Sequence, residues 1–397
     1  VAAVPSASGD GCMIRALVNA GRATAGRRRF RLLVLGLSAL LSLAAIEAVF
    51  RYRAWKLNYE TLEGAFSRLA ETSPRGRVRF IDVIRPSAND RIIYELLPDL
   101  KTEYAGQPLT TNSLGFRMPE FPLEAQPGTI TIVGLGGSIM FGYGVSDGED
   151  FFSVMAGLLA ERYPERTWRC INTSAPSYNV VTKVETLKEK GLRFEPDLVV
   201  LEIASNNLDL PNYIRVAEDP FDLHHSFILD YLDELRGIER ETAERFDVLA
   251  ILDKPRLSWA PLVATDPAKI PSRYRDLVGW EPFQRALDEL ERLSVERGFE
   301  VVVVTHLEHD LVIPMLEAAS ARGFHVVSTH EEAVQWIARV HHEPFTLERY
   351  CDSELVVSFE NQHPSALQHK LIGRRLVYEL WEQGLIPRLL AKVPKAP

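Results

Sequence analysis

The sequence predicts an α/β protein, a parallel sheet covered on both faces by helices, with one membrane-crossing helix ahead of it. Two observations carry this. From Thr129 onward, continuous apolar and β-branched runs (TITIVGL, DLVVLEI, FEVVVVTHL) alternate with amphipathic helical stretches, the pattern of strands buried on both faces. Before them, Leu32 to Phe50 reads LLVLGLSALLSLAAIEAVF, with Glu47 its one charged residue. At 1.5 Å rise per residue that run makes a helix roughly 28 Å long, enough to cross a hydrocarbon core of about 30 Å.

The elements follow in order. Residues 1–31 carry Arg15, Arg22, Arg27, Arg28, Arg29 and Arg31 against Asp10 alone, a net of +5 in a chain whose total is −9. The positive-inside rule places this segment in the cytoplasm, the span at 32–50, and the bulk of the chain outside. FRYRAWKLNYE after the span lacks a small-x-small cleavage pattern, which favours an uncleaved anchor over a signal peptide. Met13 followed by IRALVNAGR reads as a start, so residues 1–12 are expected to lie outside the native product. Residues 51–125, punctuated by Pro86, Pro98, Pro108, Pro119 and Pro122, read as a stalk and lead-in.

The main domain is expected over 126–397. TITIVGL is its first strand, followed by the glycine-rich turn GGSIMFGYG and a helix, FFSVMAGLLAERY. A strand at WRCINT, a helix around Val181–Lys190, strands at DLVVLEI and FEVVVVTHL, a helix at LVIPMLEAASARG and a strand at FHVVST come next. A last helix runs from about Ala366 to Glu382. The alternation breaks at about 209–280, read as an insertion over the sheet's carboxyl edge. Its aromatic residues, Tyr213, Trp259, Tyr274 and Trp280, are expected to pack rather than to stack on sugar rings.

Composition excludes several classes. A chain of 397 residues with 46% hydrophobic and 25% charged residues folds and buries a large core. Cys12, Cys170 and Cys351 are far apart and give neither a disulfide framework nor a zinc knuckle. With 54 Asp+Glu against 45 Lys+Arg, nucleic acid is not an expected partner, because phosphate binding needs clustered cations.

In open parallel sheets, chemistry sits beyond the carboxyl ends of the strands. Those ends carry Gly136-Gly137-Ser138, then Asn172-Thr173-Ser174-Ala175-Pro176-Ser177, then Ala204-Ser205-Asn206-Asn207. Ahead of the last helix stands Glu360-Asn361-Gln362-His363-Pro364. Each is ordinary alone: a serine after a tight turn is commonly a helix cap. Together, in order, a serine in a glycine-rich turn, an asparagine and a Glu-x-x-His pair are the material of nucleophilic acyl transfer. His306-Leu307-Glu308-His309-Asp310 reads as a polar loop, and no metal or cofactor is expected. Met140 occupies the last glycine position of G-x-S-x-G, which argues against that motif.

GLGGSIMFGYGV resembles the first block of the SGNH/GDSL hydrolase superfamily, INTSAPSYN the second, LEIASNN the third and ENQHPSALQHKLIGRRL the closing one. TTNSLGFRMPEF is similar to a segment that precedes the domain in bacterial membrane-anchored members. The resemblance covers roughly 105–385 apart from most of 209–280. It implies a three-layer sandwich of flavodoxin-like type, with Ser138 as nucleophile, His363 as general base and Glu360 as its acidic partner. It also implies an oxyanion hole of the Ser138 and Ser177 backbone N–H groups and the Asn206 amide. Gly137 stands where the family's aspartate is usual, Ala204 and Asn207 replace the glycine and aspartate of the third block, and Glu360 replaces an aspartate. Ser177 stands in a glycine slot, harmless if its backbone needs no positive φ.

The expected function is that of a single-pass, membrane-anchored serine ester hydrolase. Its catalytic domain would lie outside the cytoplasm and act on an O-acyl or O-acetyl ester of a glycan or lipid. An O-acyltransferase passing the same acyl group to a polysaccharide hydroxyl is one alternative. An inactive glycan-binding protein with this fold is another.

Overall fold

The computed structural model describes residues 10–55, 78, 80–211, 223, 226–235, 272–359 and 361–392. In chain order the elements are α1 (Asp10–Trp55), β1 (Ile84–Pro86), β2 (Tyr94–Leu96), β3 (Lys101–Tyr104), β4 (Gln107–Thr110), β5 (Thr129–Leu135), α2 (Ser138–Phe141), α3 (Phe151–Arg162), β6 (Thr167–Asn172), α4 (Val180–Thr186), β7 (Leu198–Glu202) and α5 (Phe227–Leu235). Then follow α6 (Trp280–Arg297), β8 (Glu300–Thr305), α7 (Ile313–Ser320), β9 (His325–Ser328), α8 (His330–Trp336), α9 (Leu347–Cys351), α10 (Ala366–Glu382) and α11 (Leu385–Lys392).

Two compact units divide the chain. The first holds α1 and α5. Within α1, Phe30–Arg53 is long and apolar enough to cross a membrane. Glu47 does not stand alone in that stretch: its carboxylate accepts from the backbone N–H groups of Phe227 (3.1 Å) and Ile228 (3.0 Å) at the start of α5. Arg51, one turn on, pairs with it at 2.9 Å.

The second unit holds the sheet. Five strands lie in the order β6-β5-β7-β8-β9, all parallel. The strands are continuously apolar because alternate residues serve opposite faces. Ile130, Ile132, Leu198, Val200, Val302 and Val304 pack with Phe152, Met155, Ile372 and Leu376 of α3 and α10. Val133, Leu135, Val199, Leu201, Val301 and Val303 pack with Val180, Phe283, Leu287 and Met315 of α4, α6 and α7. The result is the three-layer α/β sandwich the sequence predicts.

The lead-in belongs to this core. Val83, Ile84, Ile92, Tyr94, Leu109 and Phe116 are buried in the same cluster as Val133 and Leu135. The edge drawn at residue 125 is therefore not an edge of the packed unit. Two small hairpins, β1–β2 and β3–β4, place Ile84, Tyr94, Leu96, Tyr104 and Leu109 in this cluster. Most of the insertion at 209–280, including Tyr213 and Trp259, lies outside the described residues, whereas Tyr274 is buried in the core and packs as expected.

Candidate active site

β6 and β7 flank β5, so the direction of winding reverses at β5. At such a switch point the carboxyl ends of the strands open into a crevice. Ser138 stands there as the first residue of α2. The turn before it doubles back so closely that a side chain at Gly136 would overlap the Met140 Cβ, which leaves room only for glycine.

His363 comes from a loop ahead of α10, closed by a bridge between Val356 and Pro364. Ser358 and Asn361 exchange backbone hydrogen bonds of 3.0 and 3.1 Å, and the Val357 N–H donates to the His363 carbonyl at 2.9 Å. The loop sets His363 Nε2 2.9 Å from Ser138 Oγ. On the other side of the ring, Nδ1 lies 2.7 Å from Asn361 Oδ1. An amide oxygen can only accept, so Nδ1 carries the proton and Nε2 presents its lone pair to the serine hydroxyl. Burial pushes the imidazole down to about 4, which keeps it neutral, and so able to accept a proton, at pH 7. Glu360 lies outside the described residues.

The lead-in grips this arrangement at two points. Arg117 is buried; its guanidinium donates to the carbonyls of Phe141 (2.9 Å), Gly142 (2.7 Å) and Val145 (2.7 Å) and pairs with Asp147 at 2.8 Å. That fixes the loop after α2. The loop in turn lays the Tyr143 ring 4.6 Å from the His363 ring and brings Gly144 against Asn361, where a Cβ would meet the amide nitrogen at 2.9 Å. At the second point, Tyr94 donates its hydroxyl to the Pro176 carbonyl, and Tyr178 donates to the Tyr94 carbonyl, both at 2.5 Å. These bonds hold the Pro176–Tyr178 loop. Neither tyrosine nor Arg117 stands out as a site residue in the sequence. Arg117 lies within TTNSLGFRMPEF and Tyr178 within INTSAPSYN, whereas Tyr94 lies in no segment that carries a resemblance.

Ser177 sits in that loop at φ +65°. The glycine slot does require left-handed backbone, and serine occupies it at a cost of about 1 kcal/mol or more. Among the described residues, none accepts a hydrogen bond from the backbone N–H of Ser138 or of Ser177. Asn206 follows β7 in a 3₁₀ turn, half-buried, with its Oδ1 accepting from Asn207 at 3.2 Å, which leaves its Nδ2 as a donor. Thus Ser138 and His363 are in hydrogen-bonding contact, and Ser177 and Asn206 stand at the ends of the two strands beside β5.

His306 follows β8. Burial, with His363, His309 and His330 nearby, pushes it down to about 3. Among the described residues, no three His, Cys, Asp or Glu side chains form a set that can hold a metal ion.

No family model and no curated protein matches this chain. Among solved structures it is similar to a lipase/acylhydrolase from Enterococcus faecalis, at 13% identity and a TM-score of 0.35, over 68% of this chain and 99% of that one. It is similar to an acetyl xylan esterase at 11% identity and a TM-score of 0.36, over 64% of this chain and 99% of that one. A third, an alpha/beta hydrolase enzyme from the metagenome of Lake Arreo, Spain, is 15% identical with a TM-score of 0.35, over 65% of this chain and 96% of that one. At these scores the role of each residue rests on the geometry above.

Proposed function

We propose that this chain is a serine ester hydrolase of the SGNH type, carried by one observation: Ser138 Oγ stands 2.9 Å from His363 Nε2. In this reading the Ser138 proton moves to Nε2 as Oγ attacks the ester carbonyl carbon. The backbone N–H groups of Ser138 and Ser177 and the Asn206 amide receive the oxyanion. Collapse breaks the bond to the leaving alcohol, which takes the proton from His363 and departs, leaving an acyl-Ser138. Water then attacks this ester and gives its proton to His363; the acyl–Oγ bond breaks, His363 returns the proton to Ser138 Oγ, and the acid leaves.

Asn361 is the orienting partner of His363 in this proposal, and Glu360, the carboxylate expected from the sequence, is the residue to test against it. The substrate class is an O-acyl or O-acetyl ester on a glycan or lipid outside the cytoplasm. That part rests on Phe30–Arg53 as a membrane anchor and on the excess of arginine before it, which orients residues 1–31 inward.

The experiment is fluorophosphonate labelling of the detergent-solubilised full chain, followed by peptide mapping and chromogenic ester hydrolysis. Labelling at Ser138 that His363→Ala abolishes is the expected result. A folded protein that leaves Ser138 unlabelled and hydrolyses no ester overturns the proposal. Acyl transfer to an added sugar faster than to water would reassign the enzyme as an acyltransferase.

A further inference from the structure

Two charged residues are buried directly beneath Ser138. Glu202, the last residue of β7, is 2% exposed, and Lys183 of α4 is 0% exposed. The Lys183 ammonium donates to the Glu202 carbonyl (2.7 Å) and to Asn207 Oδ1 (2.9 Å), and stands 3.6 Å from Glu202 Oε1. The other carboxylate oxygen, Oε2, reaches across to the nucleophile turn. It accepts from the backbone N–H of Gly137 at 2.7 Å and of Met140 at 3.1 Å.

Stability alone gives no reason for this pair. Withdrawing two charges from water is expensive, and well-packed apolar residues of similar volume are often as stable or more so. What the pair touches is more informative. Oε2 takes the N–H just before Ser138 and the N–H two residues after it, and leaves the N–H of Ser138 itself unengaged. A Cβ at Gly137 would crowd the Tyr178 carbonyl at 3.3 Å and make ordinary contact with the two carboxylate oxygens at 3.7 and 3.8 Å. A charged acceptor makes shorter, stronger bonds to N–H than a neutral one, and Lys183 balances the charge so that none is left uncompensated.

We propose that Glu202 is a positioning residue for the nucleophile. Its Oε2 pins the Gly137–Met140 turn, so that Ser138 Oγ stays on His363 Nε2 and the Ser138 N–H stays free to meet an oxyanion. This rests on Ser138 being the nucleophile. Glu202 acts through the turn, and Lys183 acts through Glu202.

The test compares two charge-free pairs in the full chain, reading the fluorophosphonate labelling rate at Ser138, kcat and KM on a chromogenic ester, and Tm. Glu202→Gln with Lys183→Met keeps an oxygen acceptor in the same place. Glu202→Met with Lys183→Met removes it while filling the space. The first is expected to stay within about 10-fold of wild type. The second is expected to lose roughly 10²-fold in kcat and labelling rate, the scale of a misplacement near 1 Å, at little-changed KM and with Tm lowered by the two N–H groups left without an acceptor.

A folded Met pair that labels at the wild-type rate overturns the role of Glu202, as does a Gln–Met pair as slow as the Met pair. Glu202→Asp with Lys183 retained covers the case in which the Met pair does not fold. It keeps the charge balance and withdraws the acceptor by one methylene, so kcat is expected to fall at unchanged KM; wild-type kcat overturns the proposal. A wild-type protein that does not label at Ser138 removes the proposed function and this inference with it, whereas a labelled wild type matched by the Met pair removes this inference alone.

Discussion

Asn361→Asp asks what a neutral partner does to the base. In the wild type, His363 Nδ1 donates to an amide oxygen at 2.7 Å, which orients the ring but adds no charge. A carboxylate there would sit about 4 Å from the centre of the imidazolium charge, worth about 4 kcal/mol at an effective dielectric near 20. That corresponds to about three pH units at 1.36 kcal/mol each. The half-buried position and the desolvation of the new carboxylate reduce it, so a rise of about one to three units is expected.

The base must be neutral to accept the serine proton, so activity rises with pH through the base's pKa. The acid limb of kcat/KM is therefore expected near 4 in the wild type and near 5 to 7 in Asn361→Asp. Above pH 8 the more basic imidazole is expected to give a kcat equal to wild type or up to about 10-fold higher, following Brønsted behaviour. The assay is kcat/KM on a chromogenic ester from pH 3.5 to 8.5. Asn361→Ala and Glu360→Gln run alongside, the first expected to cost about 10- to 100-fold and the second less. An acid limb that stays put or falls in Asn361→Asp refutes the assignment of the Nδ1 partner. So does a Glu360→Gln change larger than that of Asn361→Ala.

Three further outcomes are expected. Ser138→Ala and His363→Ala each lose at least about 10³-fold in kcat/KM while circular dichroism and Tm stay near wild type; wild-type rates in the serine variant would end the esterase reading. Stability falls as the solution is acidified below the ordinary histidine value near 6.5. Burial holds His363 down to about 4, and His306 and His369 to about 3, so the unfolded chain takes up protons that the folded one refuses. The contribution is full above about 6.5 and is lost progressively toward 3; a Tm that is flat or rises between pH 7 and 4.5 would contradict it. Ser177→Val is expected to cost about 1 to 2 kcal/mol in chemical denaturation because a β-branched residue resists φ +65°, and to slow acylation through the displaced N–H. Ser177→Gly is expected to keep activity.

The fold was legible because its signals are local. Ile130 and Ile132 face one helix layer while Val133 and Leu135 face the other, and only a strand covered on both sides reads as an unbroken apolar run. The serine–histidine pair was legible because strand ends and the approach to the last helix are positions that any parallel sheet brings to one edge.

What was not legible is tertiary. Glu360 and Asn361 are neighbours in sequence, and either type of side chain can accept from an imidazole. The turn in which Ser358 and Asn361 exchange backbone bonds is what brings the amide to Nδ1. A glutamate ending an apolar strand and a lysine in a helix have no periodicity linking them, although Glu202 and Lys183 meet beneath the nucleophile. Tyr94 and Arg117 looked like residues of a stalk, since nothing local announces that they grip carbonyls at Pro176, Phe141, Gly142 and Val145.

These tertiary contacts share a consequence for the chemistry. Glu202 is balanced by Lys183 and Asp147 by Arg117, at 3.6 and 2.8 Å, while the base is neutral and its described orienting partner is an amide. In the proposed mechanism, and among the described residues, charge separates at this pair when the Ser138 proton reaches His363. In that mechanism, Asn361 as the partner gives the new imidazolium orientation but no charge of its own. Stabilising the transition state then falls mainly on whatever donors meet that oxyanion, in a crevice where each donor is worth more than it would be in water. The same arrangement keeps the base unprotonated in mildly acidic surroundings, where an ordinary histidine near 6.5 would already be charged. In the proposed mechanism a strong base is thus exchanged for one that stays available as pH falls.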